Sequence, residues 1–290
     1  MRRISRQYGL LPPESDAAML LKGLIFDVDG TLAETEEAHR RSFNEAFAAA
    51  GLDWNWDEEL YRKLLQVTGG KERLLHYINE WNPPGSAAAL SRFSKIYSEA
   101  SDRYALLVES GAAPPRPGVR RLITEAYQRG VRLAIATTSL RDSVITLLRA
   151  MLGKDDPSWF TVIAAGDAVP NKKPSPDIYF LALEGLGLGP ESCVAIEDSE
   201  NGVRAARAAG LPVIATPSYY LRDDDFALAT SVLSDLGEPD RPSRYIGGLT
   251  FGKPCVDISG LDAWLSSQHR PRAKAEFRSF QTIKTSAETG

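Results

Sequence analysis

Asp27 and Asp29 stand two residues apart in Leu24-Ile25-Phe26-Asp27-Val28-Asp29-Gly30-Thr31. They close a short apolar run, and Gly-Thr follows at once. Side chains alternate along a strand, so the two acids start out facing the same way. Such a pair can hold a hard cation against a phosphate. One acid can attack phosphorus while the other moves a proton. Asp-x-Asp-Gly also occurs in turns and calcium loops. An EF-hand needs further acids at fixed offsets and a closing Glu, and here Ala33-Glu34-Thr35 follows instead. A surface turn is a poor fit after Gly23-Leu24-Ile25-Phe26, which has no polar face.

Three further runs carry comparable chemistry. In Leu133-Ala134-Ile135-Ala136-Thr137-Thr138-Ser139 a strand pattern passes into hydroxyl residues and then a helix pattern. Hydroxyls and backbone N–H groups at a helix start suit a phosphoryl oxygen, although by itself the run reads more simply as an N-cap by Thr138 or Ser139. Lys172-Lys173-Pro174-Ser175-Pro176-Asp177 places a lysine before proline on extended chain, just ahead of a helix. Lys173 can there neutralise a nucleophilic Asp and a phosphate; taken alone it is a solvated loop lysine. Val194-Ala195-Ile196-Glu197-Asp198-Ser199 ends a buried run in two acids. A helix cap by Asp198 or Ser199 is the simpler reading, but two buried acids are costly without a partner. A cation shared between two strand ends would draw on Asp27, Asp29 and Asp198.

The elements that must position these groups follow from periodicity. Residues 21–26, 132–136, 192–196 and 212–215 read as buried strands, with 160–165 a fifth. Helical patterns at 118–129, 140–152, 177–186 and 201–209 alternate with them, and Gly130, Gly187 and Gly210 follow three of these as C-terminal glycines do. That alternation predicts an α/β fold with a parallel sheet covered on both faces. Ligands bind at the carboxyl ends of such strands.

The stretch 36–108 has no strand pattern. Helices are expected at 37–51, 58–65, 71–81 and 86–107, with Asn82-Pro83-Pro84-Gly85 ending one and Ala113-Pro114-Pro115-Arg116-Pro117-Gly118 forming a semi-rigid hinge. A helical module of about seventy residues is thus inserted after the first strand, where it could act as a lid. Its aromatics Trp54, Trp56, Tyr61, Trp81 and Tyr97 are expected to be the insert's core rather than a substrate platform.

The chain has 290 residues, 43% hydrophobic and 25% charged, which allows one large or two modest globular domains. A net charge of −4 and the lack of a basic stripe give no support for nucleic acid or a membrane surface as partner. The apolar stretch 17–26, broken by Lys22, is too short to span a bilayer. Cys193 and Cys255 alone make no disulfide framework and no cysteine metal site, which fits a reducing cytoplasm. Residues 1–20 carry Arg2, Arg3 and Arg6 but also Glu14 and Asp16, and are expected to be a disordered extension or a start placed too early. Order is expected to fade past Trp264, leaving 269–290 as a loose tail. A monomer is the default expectation.

The ordered set Asp-x-Asp, Thr, Lys, Glu-Asp, each at a strand end or just before a helix, resembles the haloacid dehalogenase superfamily of phosphotransferases, from about Lys22 to Trp264. The resemblance implies a Rossmann-like core at 21–34 and 112–268 with a small helical cap at 35–111. It implies Asp27 as nucleophile and Asp29 as acid/base that also lends its carbonyl to Mg²⁺. Thr137 matches the second-motif hydroxyl, Lys173 the third-motif lysine and Asp198 the metal carboxylate. Glu197 would ligate directly or support the ligands from behind. The dehalogenase branch lacks the second Asp, so Asp29 argues against that chemistry. Thr35 and His39, in Glu34-Thr35-Glu36-Glu37-Ala38-His39, match positions that β-phosphoglucomutase uses near its active site. Gly69-Gly70-Lys71-Glu72-Arg73, Arg40-Arg41-Ser42-Phe43-Asn44 and Trp54-Asn55-Trp56 resemble instead the CbbY branch, whose members are sugar-bisphosphate phosphatases acting on xylulose 1,5-bisphosphate and linked to the Calvin cycle. This implies a phosphorylated sugar as partner, with Glu36, His39, Lys71, Arg73 and Thr138 as substrate-binding residues. Gly69-Gly70 would free N–H groups at a helix start, and Lys71 and Arg73 would offer charge to a second phosphate. A solvated helix face is the simpler reading of Lys71-Glu72-Arg73 without the catalytic motifs. A phosphomutase, and a phospho-ligand sensor without turnover, are the rival readings.

Overall fold

A computed structural model describes residues 19–153 and 157–269. The extension expected at 1–20 and the tail expected at 269–290 fall almost wholly outside the described residues. Where order was expected to fade past Trp264, a helix instead continues to His269.

Seven strands form one sheet among the described residues: β1 (Gly23–Phe26), β2 (Arg132–Ala136), β3 (Phe160–Ala164), β4 (Cys193–Glu197), β5 (Val213–Ala215), β6 (Ser231–Leu233) and β7 (Tyr245–Gly248). Their order is β3-β2-β1-β4-β5-β6-β7, parallel as far as β6, with β7 antiparallel. The chain leaves β1 for β2 on one side and later returns to place β4 on the other. The crevice at the carboxyl end of β1 is therefore the topological switch point of the sheet. Register brings the motifs level: Phe26 pairs with Ile135 of β2 and with Ile196 of β4. One step on, Asp27, Ala136 and Glu197 emerge side by side.

Strand alternation explains why both faces are dry. Leu24, Phe26, Leu133, Ile135, Val194 and Ile196 pack to one side against α6 (Val119–Gln128), α7 (Arg141–Leu152) and α10 (Ile258–His269). Ile25, Ala134, Ala136, Ala195 and Val213 pack to the other against α8 (Asp177–Leu186) and α9 (Glu200–Ala208). Gly187 caps α8 at φ 61°, a left-handed position that suits a residue without Cβ. The strands β6 and β7 lay outside the expected set. β6 spans three residues, too few to show a period, and β7 is a mostly exposed edge containing Gly247-Gly248.

Between β1 and α6 lie α1 (Glu36–Ala49), α2 (Glu58–Leu64), α3 (Gly70–His76), α4 (Ser86–Ser91) and α5 (Phe93–Glu109). They enclose a separate aromatic cluster around Phe43, Phe47, Trp54, Trp56, Tyr61 and Tyr77. Asn44 brackets Trp56, accepting from its N–H at 2.7 Å and donating to its carbonyl at 2.9 Å. The Arg40–Asn44 and Trp54–Trp56 motifs are thus partners. Two expected helices differ in form. The helix expected at 71–81 turns π-helical at Tyr77–Trp81 and ends on Asn82 at φ 42°. The one expected at 86–107 breaks at Arg92, whose guanidinium donates to Ala88 and Ala50 carbonyls. Trp81, expected in the insert's core, is 45% exposed, because it follows the π turn outwards. The linkers to the insert are not a free hinge: Ala33 bridges Pro115, and Arg116 N–H donates to Leu32 at 2.9 Å.

Candidate active site

Asp27, Lys173 and Glu197 meet where β1 and β4 end. Lys173 Nζ lies 2.6 Å from Asp27 Oδ1 and 2.6 Å from Glu197 Oε1, and all three residues are buried. Lys173 arrives on the loop before α8, whose Tyr179 donates its hydroxyl to the same Glu197 oxygen and sets its ring beneath the ammonium. Glu197 Oε2 accepts from Asp198 N–H and Ser199 Oγ–H, so this carboxylate is fully engaged in holding the lysine and the loop. Ser199, not Asp198, caps α9 by accepting from Gly202 N–H. Asp198 is thus not spent as a helix cap, and its Oδ2 is buried with no hydrogen-bond partner.

Asp27, Glu197 and Asp198 each offer an oxygen within 4.8 Å of the others. Three carboxylates facing one ammonium leave a surplus of two negative charges. Burial, reinforced by Glu197 and Asp29, pushes the Asp27 carboxyl up to about 8 even though Lys173 pulls it down. Burial likewise raises Asp198 well above the ordinary carboxylate range, with Asp27 and Glu197 adding to it. A divalent cation fits this donor set: it would cancel the surplus and engage the orphaned oxygen of Asp198. Asp27 and Asp198 have the capacity to ligate, whereas Glu197 is committed to Lys173 and Tyr179.

Asp29 faces a different set of partners. Its Oδ1 accepts from Thr35 Oγ1 at 2.6 Å and lies 3.0 Å from His39 Nε2, and its Oδ2 accepts from Ser139 Oγ. The His39 ring stacks on Tyr104 with centroids 4.0 Å apart, which fixes its tilt. Burial favours the neutral acid. The His39 charge and the donors His39, Ser139 and Thr35 outweigh it and hold Asp29 well below the usual range. In this arrangement Asp29 is ionised at neutral pH, ready to take a proton; to give one up it must first part from these donors. His39→Gln should therefore raise the Asp29 pKa and move the acid limb of kcat to higher pH by roughly one unit. A pH–rate profile unmoved by the change would remove His39 from that role.

The cavity over these groups is lined from both the core and the insert. Asp27, Asp29, Thr137, Thr138, Lys173 and Asp198 line its floor, and Glu36, His39, Gly69, Gly70 and Arg73 line its roof. Arg73 is buried. Its Nη1 donates to Tyr61 Oη at 3.0 Å, Tyr61 donates to Glu36 at 2.8 Å, and Arg73 Nε–H has no acceptor. Lys71 parts company with Arg73: it is exposed and lines a neighbouring cavity beside Lys172 and Asp167. Positions i and i+2 on a helix do not share a face, and here Arg73 turns to this cavity and Lys71 to its neighbour. Thr137 is buried and its Oγ1 accepts from Ser139 N–H; neither Thr138 nor Ser139 caps α7.

Residues 21–210 match the family of haloacid dehalogenase-like hydrolases. The chain is 51% identical over 218 residues to protein CbbY of Rhodobacter capsulatus, covering 75% of this chain and 95% of that one. The crystal structure of CbbY from Rhodobacter sphaeroides in complex with phosphate superposes with a TM-score of 0.69 at 47% identity, covering 74% and 94%. A mutant of that protein in complex with xylulose-(1,5)bisphosphate gives 0.68 with the same identity and coverage. The chain belongs to the haloacid dehalogenase-like hydrolases. Within that family it groups with the CbbY proteins and is a phosphatase.

In this hydrolase several site neighbours had no signal of their own in the sequence. Ser139 follows the second motif and was legible only as a cap. Tyr179 sits two residues into α8, where the apolar pattern hides its hydroxyl's use. Lys172, beside Lys173, spans from the core to the insert, pairing with Glu72 at 2.8 Å and Asp167 at 3.1 Å. Asn201 likewise donates to Thr68 Oγ1 at 3.2 Å and Tyr220 to Glu37 at 2.6 Å.

Proposed function

We propose that this phosphatase hydrolyses one phosphate ester of a sugar bisphosphate, with xylulose 1,5-bisphosphate the best candidate, in the presence of Mg²⁺ and through an aspartyl-phosphate on Asp27. One observation carries the reading. A single cavity has Asp27, Lys173 and Asp198 on its floor and the buried, partly unpaired guanidinium of Arg73 on its roof. That suits a ligand anionic at both ends. The likeness to a CbbY protein in complex with xylulose-(1,5)bisphosphate points the same way.

In this mechanism Thr137 and Lys173 orient the phosphoryl oxygens. Asp27 attacks phosphorus in line and the P–O bond to the sugar breaks, while Asp29, protonated after parting from Thr35, His39 and Ser139, gives that proton to the leaving oxygen. Asp29, then ionised and held by Thr35, His39 and Ser139, takes a proton from the water that hydrolyses the aspartyl-phosphate. Asp27, Asp198 and the Asp29 carbonyl would hold Mg²⁺, which would supply charge screening between nucleophile and phosphate. Residues 35–111 act as a cap over this reaction, with Glu36, His39 and Arg73 facing the sugar from the roof and Thr138 from the floor. The enzyme works as a cytoplasmic monomer. A phosphomutase would use the same groups and pass the phosphate to a sugar. A sensor would have no need of Asp29 as a proton carrier.

The test is a pair of cap variants. Arg73→Lys should raise KM for the bisphosphate at least about tenfold, because a point charge cannot replace the fork. It should leave a sugar monophosphate nearly unaffected. Lys71→Ala should change both substrates little. Equal losses on mono- and bisphosphate with Arg73→Lys would remove its role at the distal phosphate.

A further inference from the structure

We propose that Arg116 is a positioning residue for this reaction: a single buried guanidinium fixes, from behind, the two backbone walls that flank Asp198 and ties both insert linkers to them. The inference rests on the reading of the site as a cation-dependent phosphatase. Arg116 does not line the cavity and touches no substrate.

The geometry converges from three parts of the chain that are distant in sequence. Arg116 Nη1 donates to the carbonyl of Gly30, in the turn after β1, and to the carbonyl of Thr216, just past β5, at 2.5 Å. Nη2 donates to Pro217 O at 2.9 Å and to Ser234 O, just past β6, at 3.1 Å. Nε pairs with Glu34 Oε1 at 3.1 Å, and Glu34 belongs to the opposite linker. Only a planar five-donor fork can serve so many acceptors at once.

The two walls that it holds press on the candidate cation site. Gly30 sits at φ 77°, and a Cβ there would overlap Asp198 Oδ2 and come within 2.8 Å of Ser218 Cβ. Any slack in the Gly30 turn or the Thr216–Ser218 loop is therefore taken up against the Asp198 carboxylate. The same turn begins at Asp29, and Glu34 immediately precedes Thr35, which holds the Asp29 carboxylate. Arg116 thus sets the geometry of Asp198 and Asp29 together. It also explains why the Ala113–Gly118 linker is pinned rather than hinged.

Arg116→Lys keeps the charge and loses the fork; Arg116→Gln keeps a planar amide and loses the charge. Three readouts apply to the full chain: thermal melting, calorimetric titration with Mg²⁺ alone, and steady-state phosphate release. The expected result is a folded Arg116→Lys protein whose Mg²⁺ affinity and kcat each fall about ten- to a hundredfold. Its KM for sugar phosphate should stay within about threefold of the parent. Folded variants whose Mg²⁺ affinity and kcat match the parent would overturn the proposal. So would loss of a cooperative melt in both variants, which would make Arg116 a folding residue only. A parent chain that binds Mg²⁺ but releases no phosphate would refute the phosphatase reading alone, since the Mg²⁺ titrations would still judge Arg116. A parent that binds no Mg²⁺ would overturn both.

Discussion

Asp27→Asn should lower kcat for phosphate release by about ten-thousandfold or more while leaving the fold intact. The amide keeps the shape of the carboxylate and removes its nucleophilic oxygen. Lys173 retains Glu197 as a partner 2.6 Å away, so no unpaired ammonium is created. Stability should move the other way. In cation-free protein the Asp27 carboxyl is raised from 3.8 to about 8, burial being the main cause. The folded state then binds the proton more tightly than the unfolded chain between those values. Stability consequently falls as pH rises through that window, and ionising Asp27 is the reason. Asp27→Asn should flatten this decline in chelator-treated protein, read as melting temperature against pH, and Mg²⁺ should stabilise the parent more than the variant. Appreciable residual kcat would rule out the covalent route.

Lys173→Met should be among the most destabilising single changes in the chain, by about 3–5 kcal/mol, because breaking a buried ion pair strands its partners. Here Lys173 is the partner of both Asp27 and Glu197, with Asp198 close by. The same variant should be inactive, and Mg²⁺ should recover part of its stability by supplying positive charge at the same place. Denaturant unfolding with and without the cation measures this. A variant as stable as the parent would mean that the Lys173 ammonium does not stabilise this cluster in the folded protein.

The floor of the cavity was legible in the sequence because each of its residues closes a run that reads as a buried strand or opens the helix after one. Once Phe26 pairs with Ile135 and Ile196, the acids after β1 and at the end of β4 must meet. The family motifs then supplied roles that spacing alone left open. What stayed hidden was set by tertiary packing. Arg116 reads as one letter in a proline-rich linker, yet its four carbonyl partners come from turns after β1, β5 and β6. Tyr179 looks like any core aromatic of α8 until Glu197 comes within reach of its hydroxyl. Pairing Lys71 with Arg73 treated a helix as a list of charges; the helical turn sends one to the cavity and the other to solvent. β7 escaped because a mostly exposed edge strand carries no burial pattern.

The central claim is that the floor built on Asp27 cleaves a sugar bisphosphate with help from a divalent cation. Inorganic phosphate release with Mg²⁺, compared across xylulose 1,5-bisphosphate, ribulose 1,5-bisphosphate and β-glucose 1-phosphate, tests it most directly. The expected result is strong preference for the xylulose compound, abolished when Mg²⁺ is removed. No phosphate from any of the three, with glucose 6-phosphate forming once a bisphosphate primer is added, would contradict it and make the enzyme a mutase.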